Sequence, residues 1–287
     1  MAKTIEEAFR ILRGNLEITS LQSSTASTRQ TSVRAALADD FEILDTFLTG
    51  SYQRSTMIAP LKTADIDIFV VLDPKYYRSG GQKALLESVK KALLKTYTRT
   101  PDISPDGQAV TITFTDFKVD VVPGFYRKGG GYLIPDSERT RWLPTDPKEH
   151  VGLWSKANAA HNGNLVPLIK MVKAWNKDRN LLRSFHLETL ILSVLNNVTI
   201  TNFPSGIRYV LDKGRDKLRY KLPDPAGYSD DVAAYLSDPI AIDGVIKRMT
   251  WAFQQAQEAE RLAATGSVEE AFAKWRLILN GYFPAYG

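Results

Sequence analysis

Cysteine is absent from the 287 residues, which excludes disulfide frameworks, cysteine-ligated zinc and thiol nucleophiles. Histidine is scarce: His150, His161 and His186 are the whole set, and they read as structural, with His186 packing or hydrogen-bonding among helices. Long apolar runs are also lacking. The longest, around Ile68 to Leu72, is strand-sized and far short of the roughly 18 residues that suggest a membrane span. The first 17 residues interleave Lys3, Glu6, Glu7, Arg10 and Arg13 with apolar positions, unlike a secretory leader. These absences predict a cytoplasmic protein with no membrane partner.

What is present is ordinary globular composition, 44% hydrophobic and 24% charged. The length suffices for one large domain or two closely packed lobes with a substantial core. A net charge of +5 suits polyanionic partners such as nucleotides or nucleic acid.

Helical spacing over residues 3–18 places Ile5, Ala8, Phe9, Leu12 and Leu16 on one face. A Ser/Thr-rich interval from Thr19 to Thr28 interrupts it. A second helix is expected from Thr28 to Asp39, capped by Ser27 or Thr28. Strand signals follow at Phe41–Leu48, ending in Thr49-Gly50-Ser51, and at Ile66–Leu72, stopped by Asp73-Pro74. Gln82–Leu94 is amphipathic. Ala109–Phe114 and Phe117–Val122 form a hairpin about Thr115-Asp116. Gly- and Pro-rich residues 123–147 read as one long loop, with Arg127–Arg141 in it either a lid or a connection. Helices are then expected at Leu165–Asn176, Phe185–Asn197, Val245–Ala263 and Val268–Leu279.

Three features in order carry chemistry. Gly50-Ser51 follows a strand, where glycine admits a phosphate close to the backbone and the serine hydroxyl and following amides donate to it. Asp65 and Asp67 lie two apart on a strand and so share one face, where paired carboxylates favour a divalent cation. Asp120 stands between Val119 and Val121 and faces away from the core they enter, where it either serves a metal or pairs with Lys118, two positions away on the same face. Together these suit two magnesium ions clamping an in-line displacement, with manganese able to substitute. Asp65 and Asp67 would bridge both ions. Asp120 would hold the ion at the acceptor hydroxyl and help remove its proton.

This order of motifs resembles the polymerase-β-type nucleotidyltransferase superfamily. The segments Gly50–Thr56, Val119–Pro123, Ile134–Asp136, Trp142–Lys148 and Lys173–Asn176 resemble its bacterial cyclic GMP-AMP synthase-like and dinucleotide-cyclase-like branch. The resemblance implies an α+β fold: a mixed sheet flanked by helices, packed against a C-terminal helical lobe, with the active site in the cleft. Residues 1–160 would form the catalytic core and 161–287 the helical lobe. It also implies that Lys170 and Ser184 grip donor phosphates and that Phe185 stacks on a base. On the residues alone, Lys173 could replace Lys170, and Phe185 could be helix core.

The implied activity is condensation of nucleoside triphosphates, ATP among them, into a cyclic di- or trinucleotide with release of pyrophosphate. The product would act on a separate effector in bacterial anti-phage signalling. Without cysteine the chain cannot carry the zinc element with which the animal sensor binds DNA, so duplex DNA is not expected as an obligatory activator. The same carboxylates would equally serve transfer to an RNA end, for which the basic run Lys213, Arg215, Lys217, Arg219, Lys221 offers a surface. A catalytically inactive nucleotide-binding scaffold is the third reading.

Overall fold

In the computed structural model, residues 2–60, 62, 64–100 and 102–287 are described, apart from the side chain of Asp106. The chain divides into two compact units, Ile18–Gly152 and Met1–Glu17 together with Leu153–Gly287. The expected boundary at residue 160 therefore shifts. The division falls at Gly152/Leu153, and the first helix groups with the C-terminal helices, because Phe9 packs edge-on against Trp275 and Phe283 at 5.0 and 5.2 Å. Among the described residues no helix is long and apolar enough to cross a membrane.

The first unit is built on a sheet of order β1-β2-β5-β4-β3 (Ile43–Leu48, Asp65–Leu72, Lys118–Tyr126, Ala109–Thr113, Asp102–Asp106), extended from β5 by β6 (Tyr132–Asp136) and β7 (Arg141–Thr145). Strands β2 and β5 run parallel; the other pairs are antiparallel. Alternation along β2 and β5 sends Ile66, Ile68, Val119 and Val121 into a core closed by α2 (Ser20–Ala38) and α4 (Gln82–Thr96). The opposite face carries Phe69, Val71, Tyr132 and Ile134. There the Phe69 ring lies so close to Gly124 that a β-carbon on Gly124 would fall 2.7 Å from it.

Three sequence expectations are corrected here. The Ser/Thr-rich interval is helical. Thr19 and Gln22 form a capping box, each side chain accepting the other's backbone N–H, a cap worth about 1 kcal/mol. The hydroxyls of Thr25, Ser27, Thr28 and Thr31 then donate to carbonyls one turn back, so they ride on the helix instead of breaking it. The expected loop 123–147 is strand: Gly129, Gly130 and Gly131, all at positive φ, reverse the chain between β5 and β6. Finally, β3 was not expected, because Asp102–Asp106 is poor in strand formers; as the edge strand it tolerates Pro105.

The second unit is helical: α1 (Ile5–Asn15), α6 (Leu165–Lys177), α7 (Ser184–Leu195), α8 (Phe203–Lys217), α9 (Pro239–Ala264) and α10 (Val268–Leu279). Helix α6 is buried on nearly every side, which explains its apolar run broken only by Lys170, Lys173 and Asn176. Two helices escaped the sequence reading. Pro147–Ala160, named α5, starts from Asp146, whose Oδ1 accepts the N–H groups of Lys148 and Glu149. Helix α8 starts from Asn202, which accepts from Ser205 N–H at 3.0 Å.

Candidate active site

The three acids meet the sheet at neighbouring points. Asp65 and Asp67 alternate with the fully buried Ile66 and Ile68, so both carboxylates leave the face opposite the α2/α4 core. In the parallel pairing of β2 with β5, Asp67 is the register partner of Asp120, and Asp65 is the partner of Lys118. Partners on adjacent strands share a face about 4.8 Å apart, so Asp67 and Asp120 emerge side by side. On the other side of β5, Thr111 of β4 pairs with Asp120 and donates its hydroxyl to Asp120 Oδ1 at 2.6 Å. Thr111 is thus a side chain that orients Asp120. Lys118 makes no ion pair among the described residues. The sequence could have disclosed this threonine, since folding the hairpin about Thr115-Asp116 already puts residue 111 opposite 120.

Gly50-Ser51 closes over the same point. Gly50 has φ +63°, and a β-carbon there would stand 1.7 Å from Asp67 Oδ2. Thr49 N–H donates to the Asp67 carbonyl at 2.9 Å, which fixes the turn on β2. The Ser51 carbonyl accepts the N–H groups of Thr56 and Met57 at 2.9 and 3.0 Å. The predicted phosphate turn and the predicted carboxylates are therefore one local assembly, with the hydroxyl of Ser51 uncommitted among the described residues.

Among the described residues no three His, Cys, Asp or Glu side chains converge closely enough to cage an ion by themselves. Magnesium asks for less than that: one or two carboxylates, with water and substrate phosphate completing its oxygen shell. An all-carboxylate donor set beside a backbone with no β-carbon to fill the space fits such an ion.

The motif block Trp142–Lys148 supports the sheet. Lys148 Nζ contacts Asp45 Oδ2 at 3.0 Å and lies 4.4 Å above the Phe47 ring. Its hydrogen bond to Asp45 raises the Lys148 pKa. Burial raises that of Tyr132, which also meets Lys148. Trp142 Nε1–H donates to the Arg78 carbonyl at 3.0 Å. Asp136, buried, accepts from Glu138 and Arg139 N–H and so caps the turn between β6 and β7.

Lys170, Ser184 and Phe185 belong to the helical unit. Lys170 Nζ meets Glu17 Oε2 at 2.6 Å, and the Glu17 side chain is 50% exposed. Lys173 meets Glu188 at 2.9 Å, with Glu188 wholly buried. Ser184 is exposed at the first position of α7. Phe185 stacks on Trp154 with centroids 5.8 Å apart and planes at 21°. His186 is buried and shares a 3.0 Å hydrogen bond between Nδ1 and Tyr235 Oη. Burial lowers its pKa to about 4. The basic run Lys213–Lys221, which starts on α8 and continues past its end, is partly paired: Lys213 and Arg215 share Asp212, and Arg219 meets Asp243.

The family model described as Second Messenger Oligonucleotide or Dinucleotide Synthetase domain matches residues 3–158, more than half of the chain. The cyclic AMP-AMP-AMP synthase of an Acinetobacter species is 27% identical, over 98% of this chain and 86% of its own. The cyclic AMP-AMP-GMP synthase of Enterobacter hormaechei is 24% identical, over 85% of this chain and 82% of its own. The solved structure of E. coli MS115-1 CdnC with ATP superposes with a TM-score of 0.77 at 18% identity, covering 98% of this chain and 99% of that one. With the sheet, the acids and the Gly50-Ser51 turn already in place, the chain belongs to the Second Messenger Oligonucleotide or Dinucleotide Synthetase family, and is a nucleotidyltransferase of the class that makes cyclic oligonucleotides.

Proposed function

We propose that this enzyme condenses nucleoside triphosphates, ATP among them, into a cyclic di- or trinucleotide at Asp65, Asp67 and Asp120. The observation that carries this is the register pairing of Asp67 with Asp120 directly beneath Gly50. Asp65 and Asp67 would hold two magnesium ions, and Asp120 the one nearer the acceptor. When bound, the ions supply charge neutralisation for phosphate and acidify the acceptor hydroxyl.

The chain's own groups divide the remaining work. Gly50 leaves room for phosphate, and the Ser51 hydroxyl donates to it. Asp120, held by Thr111, takes the proton of the acceptor hydroxyl as that oxygen bonds to the α-phosphorus and the bond to pyrophosphate breaks. Lys170 and Ser184 grip donor phosphates, and Phe185 presents a ring to the base, a stack worth roughly 1–3 kcal/mol. Lys170 suits this role better than Lys173. Its partner Glu17 is half-exposed and exchangeable, whereas Lys173 is committed to a wholly buried carboxylate.

The reading places the enzyme in the cytoplasm with its triphosphates, the product acting on a separate effector in anti-phage defence, and duplex DNA not required. The similarity to a cyclic AMP-AMP-AMP synthase supports ATP as a substrate. The test is incubation with the four labelled ribonucleoside triphosphates and magnesium or manganese, then phosphatase and separation. A phosphatase-resistant product made without RNA, and lost in the Asp65→Ala/Asp67→Ala variant, is expected. Label appearing only on added RNA would overturn it.

A further inference from the structure

Arg183 is held differently from the paired arginines of its unit. In the helical unit Arg208 pairs with Glu260, Arg215 with Asp212, Arg219 with Asp243 and Arg261 with Glu258. Arg179 spends its guanidinium on the carbonyls of Trp175, Leu277 and Ile278. Arg183 has no carboxylate partner among the described residues, yet it is not loose. Its guanidinium lies 4.4 Å above the Tyr235 ring. Its own N–H donates to Tyr235 Oη at 2.8 Å, and that hydroxyl also shares the 3.0 Å bond with His186 Nδ1. Tyr235 thereby holds residue 183 at two points and residue 186 at a third, across the start of α7.

Between these anchors stand the exposed Ser184 and the Trp154-stacked Phe185. Residues 183, 184 and 185 therefore offer a cation, a hydroxyl and an aromatic plane in succession. A guanidinium kept in place by stacking has less freedom to lose when it meets an anion, and its planar fork matches phosphate oxygens two at a time. An exposed, unneutralised cation with a fixed orientation suits a polyphosphate.

We propose that Arg183 is a further phosphate ligand of the nucleotide site and that Tyr235 is the residue that positions it. This rests on the reading of Ser184 and Phe185 as nucleotide contacts, so the test separates the two. Binding of a non-hydrolysable ATP analogue with magnesium is measured for the intact protein and for Arg183→Gln, Arg183→Lys, Ser184→Ala, Tyr235→Leu and the double variant Arg183→Gln/Tyr235→Leu.

Loss of one charge-assisted contact predicts about tenfold weaker binding for Arg183→Gln and a smaller loss for Arg183→Lys. Thermal melting stays unchanged, because the side chain is exposed. Tyr235→Leu weakens binding in the intact background but adds nothing in the Arg183→Gln background, a coupling that a purely structural tyrosine would not give. Normal binding by Arg183→Gln beside weakened Ser184→Ala overturns the proposal and leaves the site reading standing. Normal binding by both overturns the two together. Equal loss from Tyr235→Leu in each background removes the positioning role.

Discussion

Gly50 and Asp67 occupy what would otherwise be one volume: Asp67 Oδ2 stands 1.7 Å from where a β-carbon on Gly50 would sit. The glycine is required twice, by this approach and by its φ of +63°. Gly50→Ala must push the carboxylate off its line with Asp120. The stability cost from the backbone alone is about 1 kcal/mol, since alanine resists positive φ. Turnover should fall by about 100-fold, equivalent to ~2.7 kcal/mol of barrier. Initial rates beside a thermal melt check this; a variant that melts as expected and turns over normally would show that the Asp67 carboxylate is not critical.

Thr111 acts on Asp120 without reaching substrate. Thr111→Val keeps the shape and removes the hydroxyl that donates to Asp120 Oδ1. Partners of ligating groups typically change metal affinity 10- to 100-fold, so the magnesium concentration for half-maximal rate should rise by about tenfold. Titrating magnesium at saturating triphosphate measures it. Melting should move little, because Thr111 is only partly buried.

The two lysines of α6 should part company. Lys173→Met removes the cation beside a wholly buried Glu188 and should cost about 3–5 kcal/mol in urea unfolding. Lys170→Met leaves Glu17 at a half-exposed site, where water replaces the partner, and should cost less than about 1 kcal/mol. Triphosphate KM should nevertheless rise in Lys170→Met. Equal destabilisation by both would contradict the contrast in burial.

His186 sets a pH dependence whose sign is fixed. Its folded pKa lies near 4 against an ordinary 6.5, so between these values the unfolded chain binds a proton that the folded chain refuses. Stability contributed by this residue is complete above pH 6.5 and is lost as pH falls toward 4. At pH 4.5 the loss is about 2.5 kcal/mol. Unfolding of His186→Gln and the intact protein at pH 7 and pH 4.5 should show a shallower decline in the variant by about that amount.

The carboxylate triad and its turn were legible because strand alternation is local: once Ile66 and Ile68 are assigned inward, Asp65 and Asp67 have only one way to point. Their pairing with Asp120 was less accessible, since the parallel register of β2 with β5 joins residues 53 apart through a long crossover. Composition misled at Ser20–Thr28 and at 123–147. In the first, Thr19 and Gln22 outweigh the low helix preference of serine and threonine. In the second, the run of glycines was the turn of a strand pair, not the body of a loop. Glu17 against Lys170 joins residues 153 apart, and no spacing rule could have matched them.

The attachment of α1 to the C-terminal helices fixes an order of events at the ribosome. The sheet unit, residues 18–152, is contiguous in sequence, whereas the helical unit takes its residues from both sides of it. Phe9 and Leu12 are synthesised before any of it, but the rings that cover Phe9, Trp275 and Phe283, come last. At an elongation rate of about 5–20 residues per second that wait is on the order of tens of seconds. The apolar face of α1 thus waits for its covering rings through most of the synthesis of the residues between them.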